Sequence, residues 1–304
     1  TAQISNTAPS IALDTYAQTT DGTKYVTVAY VGTDGQGDIS SVPTYQYSTD
    51  NTNWFTMTQK SGVGSSDTSS LIFLPTGSNY NFAWDSGADL PDVENSTTRV
   101  RLKPNDSLVD GSLTTSNAFE IDNKSPIVSS VSAVQGSGTR TVTITYNLID
   151  SNSSLVELGI SSDGGNTWTV ATTTATGAIG SGVTPGSGKI IAWNVATDFN
   201  GQYNTNMMAR VRALDGFGNQ GGYIQSSSFT VDTHAPTISN VSAVQDTGVG
   251  TFTFHYDVSE DAGNNNIVLA VSANGGSTWT VATSTASGDV GSVTSGSGKT
   301  ITWN

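Results

Sequence analysis

The chain contains no cysteine, which excludes both a disulfide framework and a thiolate metal site. Basic residues are scarce: 11 Lys and Arg stand against 25 Asp and Glu, for a formal net charge of −14 at pH 7. That balance argues against a nucleic-acid partner, because binding a polyphosphate needs a basic surface that releases counterions. Charged residues of both signs make up only 12% of the chain, about half the share of an ordinary soluble domain. The two histidines lie apart, His234 in a "THAP" linker and His255 at a strand position that Thr145 fills elsewhere. No nucleophile elbow accompanies them, and a non-enzymatic protein is expected. No run of about 18 apolar residues occurs, so no transmembrane helix is expected. The opening "TAQISNTAPS" has neither a basic start nor an apolar run, so a secreted form would already have lost its leader.

Ser, Thr, Gly and Asn fill the space left by charge, and they fill it in repeats. "IDNKSPIVSSVSAVQ" from Ile121 matches "VDTHAPTISNVSAVQ" from Val231, with Pro126 and Pro236 separated by 110 positions. "TVTITYNLID" matches "TFTFHYDVSE", which sets Tyr146 over Tyr256, and "GSGKIIAWN" matches "GSGKTITWN", which sets Trp193 over Trp303. Weaker matches at Pro9, Tyr30, Trp54 and Trp84 extend the plan to the first third of the chain. The expected modules are 9–122, 123–232 and 233–304, with 1–8 as the end of a preceding module or a linker. The third stops after "ITWN", before the counterpart of "MMARVRALDGFGNQGGYIQSSSFTVD". That predicts an apolar face and sheet edge which either later chain or another molecule covers.

Within a module the apolar period is two. Val142, Ile144, Tyr146 and Leu148 alternate with Thr141, Thr143, Thr145 and Asn147, which gives a strand with one buried and one wet face. Seven to nine such strands per 110 residues, separated by Gly, Ser, Asn and Asp turns, predict an all-β chain of tandem antiparallel β-sandwich modules.

"SSDGGNTW", Ser161–Trp168, returns as "SANGGSTW", Ser272–Trp279. Ser161, Asp163, Gly165, Thr167 and Trp168 fit the spacing S-x-D-x-G-x-T-W, and the stretch resembles an Asp-box hairpin. Asp163 is expected to accept turn amides, Gly164 and Gly165 to take positive φ, and the tryptophan to plug the core. The whole unit, with its "P-x-I-x-x-V" start, "Y-x-L-x-D" corner and "R-x-R-A-x-D-G-F-G-N" at Arg210–Asn219, resembles the immunoglobulin-like or fibronectin type III-like modules of large bacterial surface proteins. That resemblance implies an extracellular structural role on a microbial cell surface, as a segment of a surface-layer protein, with self-association of neighbouring copies. An adhesin or filament stalk, or an accessory carbohydrate-binding array with glycan or cell-wall contact, is the alternative.

The excess acid makes calcium the expected ion, since it takes six to eight oxygen ligands and accepts irregular loops; no organic cofactor is expected. Asp122 and Asp232 occupy matching positions just before the hinge prolines, and Asp215 with Asn219 follows in a loop that a sandwich brings to one end. Asp85, Asp89, Asp92 and Glu94 form a second acidic cluster at the end of the "FAWD" strand. Asn95, Asn105, Asn123, Asn152 and Asn240 satisfy N-x-S/T and are the expected acceptors if the secreted protein is glycosylated.

Overall fold

The computed structural model describes residues 5–66 and 68–304, so the expectation for Thr1 to Ile4 lies outside the described residues. Strand pairing falls into three separate sets, all antiparallel, and no sheet closes into a barrel. Among the described residues the helices are two four-residue turns, Ser86–Asp89 and Val195–Asp198. The chain is all-β, as its two-residue period requires.

The middle set shows the plan most fully. One sheet orders Ile127–Gln135, Thr141–Ile149, Gly186–Asn194 and Thr176–Gly177. The facing sheet orders Gly180–Val183, Ser154–Ser161, Tyr203–Leu214 and Ile224–Gln225, with Phe229–Asp232 also paired to Tyr203–Leu214. Val142, Ile144, Tyr146 and Leu148 point inward and meet Val156, Ile160, Met207, Ala209 and Val211 from the other sheet in one core. Trp193 is fully buried there and its indole N–H donates to Asp198 at 2.9 Å. The first set repeats this with Trp84, whose N–H reaches Asp89 at 2.7 Å. At about 25 cal/mol per Å² over the roughly 150–250 Å² that such a ring buries, each contributes ~4–6 kcal/mol to its sandwich.

The hairpin tryptophans behave differently from expectation. Trp168 does not plug the core: it lies half-buried on the outer face of its sheet, under the Arg210 guanidinium, whose carbon sits 4.5 Å from the ring centre. Trp54 lies likewise under Arg101 at 4.2 Å, and Trp279 is 62% exposed. The turn places its last residue on the wet side of the strand, where a cation from the neighbouring strand can stack on the indole. The rest of the turn forms as expected. The Asp163 carboxylate accepts the Thr167 amide at 2.8 Å, the Thr167 hydroxyl at 2.7 Å and the Ser161 hydroxyl at 2.7 Å. Gly164 and Gly165 take φ of +72° and +91°.

The third set pairs Thr237–Gln245, Phe252–Ser259, Gly296–Trp303 and Ser287–Gly288 in one sheet, with a two-stranded piece, Asn264–Ile267 and Gly291–Thr294, opposite. Its buried cluster is small: Tyr256, Val258 and Ile301. Every residue of Thr237–Gln245 is exposed, including Val241 at 68%, whereas Val131, its counterpart in the middle sandwich, is 8% exposed. Val131 is covered because Tyr203–Leu214 and the two strands after it pack onto its own strand; residues 233–304 contain no equivalent of them.

Candidate metal centre at the joint between the first two sandwiches

The joint is built from strand ends. Glu94 opens the Glu94–Asn105 strand and Asp122 closes the Phe119–Asp122 strand, and the two pair in register. Like charges set directly opposite in this way repel. Asp150 follows the Thr141–Ile149 strand of the second sandwich. The fold brings the three together: one carboxylate oxygen from each of Glu94, Asp122 and Asp150 lies within 4.8 Å of the others. Among the described residues no other group of three or more acid or histidine side chains converges so closely.

The loop Asp215–Asn219 closes the site from the second sandwich. Asp215 accepts the amides of Phe217 at 2.8 Å and Asn219 at 2.9 Å. The Asn219 side-chain NH₂ is divided between the Asp122 carbonyl at 2.9 Å and the Asp215 carboxylate at 2.7 Å. Its orientation is therefore determined, because a flipped amide would set oxygen against oxygen. This leaves Asn219 Oδ1 buried without a partner. Asp122 is fully buried. One of its oxygens accepts the Lys124 amide at 2.8 Å, while Oδ2 has no donor.

Electrostatics follow from this crowding. Burial, then the charges of Asp215, Glu94 and Asp150, push the Asp122 carboxyl up to about 6, against the pull of the Lys124 amide. Glu94 is raised by burial and by Asp150 and Glu120, with Lys124 opposing. None of the ion pairs among the described residues engages Glu94, Asp122 or Asp150. A group of oxygen ligands with no histidine or sulfur suits a hard cation.

The surrounding contacts are close and polar. Gly22 N–H donates to the Phe217 carbonyl at 2.9 Å across the joint. Asn152 donates to Glu120 at 3.2 Å, and the Ser151 hydroxyl donates to Glu94. Gln18 clamps the hinge from the first sandwich, donating to the Asp122 carbonyl at 2.8 Å and accepting its amide at 2.7 Å. Asn123 is buried and donates to the Ser86 and Leu90 carbonyls, so this N-x-S triplet serves the joint and presents no free amide to a glycan.

The other sequence candidates lie elsewhere. Asp232 closes the Phe229–Asp232 strand at the second joint, clamped by Gln135 as Asp122 is by Gln18. Its partner in register is Tyr203, standing where the first joint has Glu94. Here His234 pairs with Asp261 at 2.5 Å, and a cleft lined by Gly136, Arg140, Glu260 and Asn264 remains open between the sandwiches. Asp89 is occupied by Trp84 and by the amide and hydroxyl of Thr58. Asp85 caps the Ser86–Asp89 turn and pairs with Lys60 at 3.1 Å. Asp92 holds a left-handed turn at φ +56°. Glu94, expected with the acidic cluster after "FAWD", is instead drawn to Asp122 and Asp150. Asp150 was legible only as the last residue of the "Y-x-L-x-D" corner and was not among the expected ligands.

The chain matches no protein-family model, and no curated protein matches it.

Proposed function

We propose that this chain is a non-enzymatic spacer of a microbial cell surface, a segment of a surface-layer type array in which sandwiches of immunoglobulin-like or fibronectin-like kind set a fixed distance. The observation that carries this reading is the joint between the first two sandwiches. There the backbones of Gly22 and Gly218 touch, and the Gly22 amide is hydrogen-bonded to Phe217 across the gap. A flexible tether would leave such backbone groups to water, whereas a rod must satisfy them internally. The extracellular setting rests on the composition: a cysteine-free, Ser/Thr/Gly-rich and strongly acidic chain. Self-association of neighbouring copies belongs to the same reading.

Small-angle scattering on the full chain tests the rod. Three sandwiches end to end, with strands of about ten residues, should give a maximum dimension on the order of 100–120 Å. A folded-back particle or the broad distance distribution of a flexible chain would refute a spacer.

A further inference from the structure

We infer that the joint between the first two sandwiches is a calcium site, held by Glu94, Asp122 and Asp150 with the Asn219 side-chain oxygen, and that the ion locks the two sandwiches together. The convergence of three carboxylates is not the whole argument. Asp122 Oδ2 and Asn219 Oδ1 are both buried and both lack any hydrogen-bond donor, although the chain satisfies nearly every polar atom around them. A buried carboxylate oxygen with no donor is costly unless a proton or a cation reaches it. No lysine or arginine forms an ion pair with these acids: Lys124 acts on Glu94 only at longer range, and Lys24 Nζ is spent on the Asn123 carbonyl at 2.7 Å.

The ligand geometry favours calcium. Oxygens on opposite sides of a calcium at about 2.4 Å from it are at most ~4.8 Å apart, and the three carboxylate oxygens here, within 4.8 Å of one another, can share one such ion. Magnesium, at about 2.0–2.1 Å, demands strict octahedral geometry and gives up its waters reluctantly. Irregular ligands from two strand ends, a corner and a loop suit the larger ion. The ligands also come from both sides of the joint: Glu94 and Asp122 from the first sandwich, Asp150 and Asn219 from the second. An ion between them replaces mutual repulsion with a shared bond. The second joint, with Tyr203 in place of Glu94, lacks this set.

The inference deepens the spacer reading by naming what stiffens one joint, and the two can fail separately. The test uses the full chain, stripped with EDTA and titrated calorimetrically with calcium chloride, with magnesium chloride in parallel, and thermal unfolding with and without the ion. Calcium should bind with a dissociation constant in the range of extracellular modules, about 10⁻⁴–10⁻³ M or tighter, more tightly than magnesium, and should raise the melting temperature. Glu94→Gln and Asp150→Asn should each weaken binding by roughly tenfold or more, since even groups behind the ligands cost about 10–100-fold. Asp163→Asn, in the distant hairpin, should bind as the parent does. The distinguishing readout is a reversal. In EDTA Glu94→Gln should melt at or above the parent temperature, because a repulsive pair is relieved, and in calcium it should melt below it. No calcium uptake at millimolar free ion, or parental affinity in both joint variants, would overturn the inference. A chain that keeps its rod dimensions in EDTA yet takes up no calcium would leave the spacer reading standing and remove this one.

Discussion

Asp163 shows how one side chain holds a turn and how that hold depends on pH. The Thr167 amide, with the Ser161 and Thr167 hydroxyls, draws its carboxyl down to about 2. A carboxyl lowered on folding contributes stability that is complete above its unfolded value near 3.8 and is lost as the pH falls through about 2. The third hairpin supplies a natural control. Asn274 there accepts the Thr278 amide at 2.9 Å and donates to the Thr278 hydroxyl at 2.9 Å, so an uncharged amide can make the same turn. Asp163→Asn should therefore keep the fold while flattening the fall in melting temperature between about pH 4 and pH 2, whereas Asp163→Ala should lower the melting temperature at neutral pH. Acid-side thermal scans of the two variants check this.

Strands and their ends carry the next level of explanation. Each sandwich strand alternates apolar and polar side chains, and one turn decides which edge residues meet the neighbouring module. Gly218 is such a residue: at φ +81° it sits in the left-handed region, and a Cβ there would come 2.5 Å from the Gly22 nitrogen. Gly218→Ala should lower stability by about 1–2 kcal/mol from backbone strain alone. It should also part the loop from Gly22, so that denaturant unfolding shifts to a lower midpoint and the scattering profile shows a loosened joint. Gly216, in the same loop with open space around it, is the site where alanine should leave the joint intact.

Across the molecule the three sandwiches are unequal. The first two have cores that draw on both sheets, while the third relies on Tyr256, Val258 and Ile301 with partly buried neighbours. Burial scales stability, so residues 233–304 should exchange amide hydrogens fastest and meet proteases first. Hydrogen exchange on the full chain should show protection falling from the Thr141–Ile149 strand to its counterpart, Phe252–Ser259. Equal protection in the two strands would mean that another surface covers the third sandwich in solution.

Local chemistry was readable from the sequence alone. The two-residue period, the repeat near 110 positions, the glycines of the hairpin and the hinge prolines each depend on neighbours in the chain, and they yield an all-β tandem array directly. Asp122, Asp215 and Asn219 were legible at the joint for the same reason, as marked positions in a repeated unit. The tertiary structure decided what depends on the approach of distant segments. It set Glu94 against Asp122 across a strand pair, brought Asp150 to them from the next sandwich, and left Asp122 Oδ2 and Asn219 Oδ1 buried without donors. It also turned the hairpin tryptophans outward under arginines of an adjoining strand. Periodicity records which face of a strand is apolar, but the company that a strand end or an outward ring keeps is set by packing between segments that the sequence holds far apart.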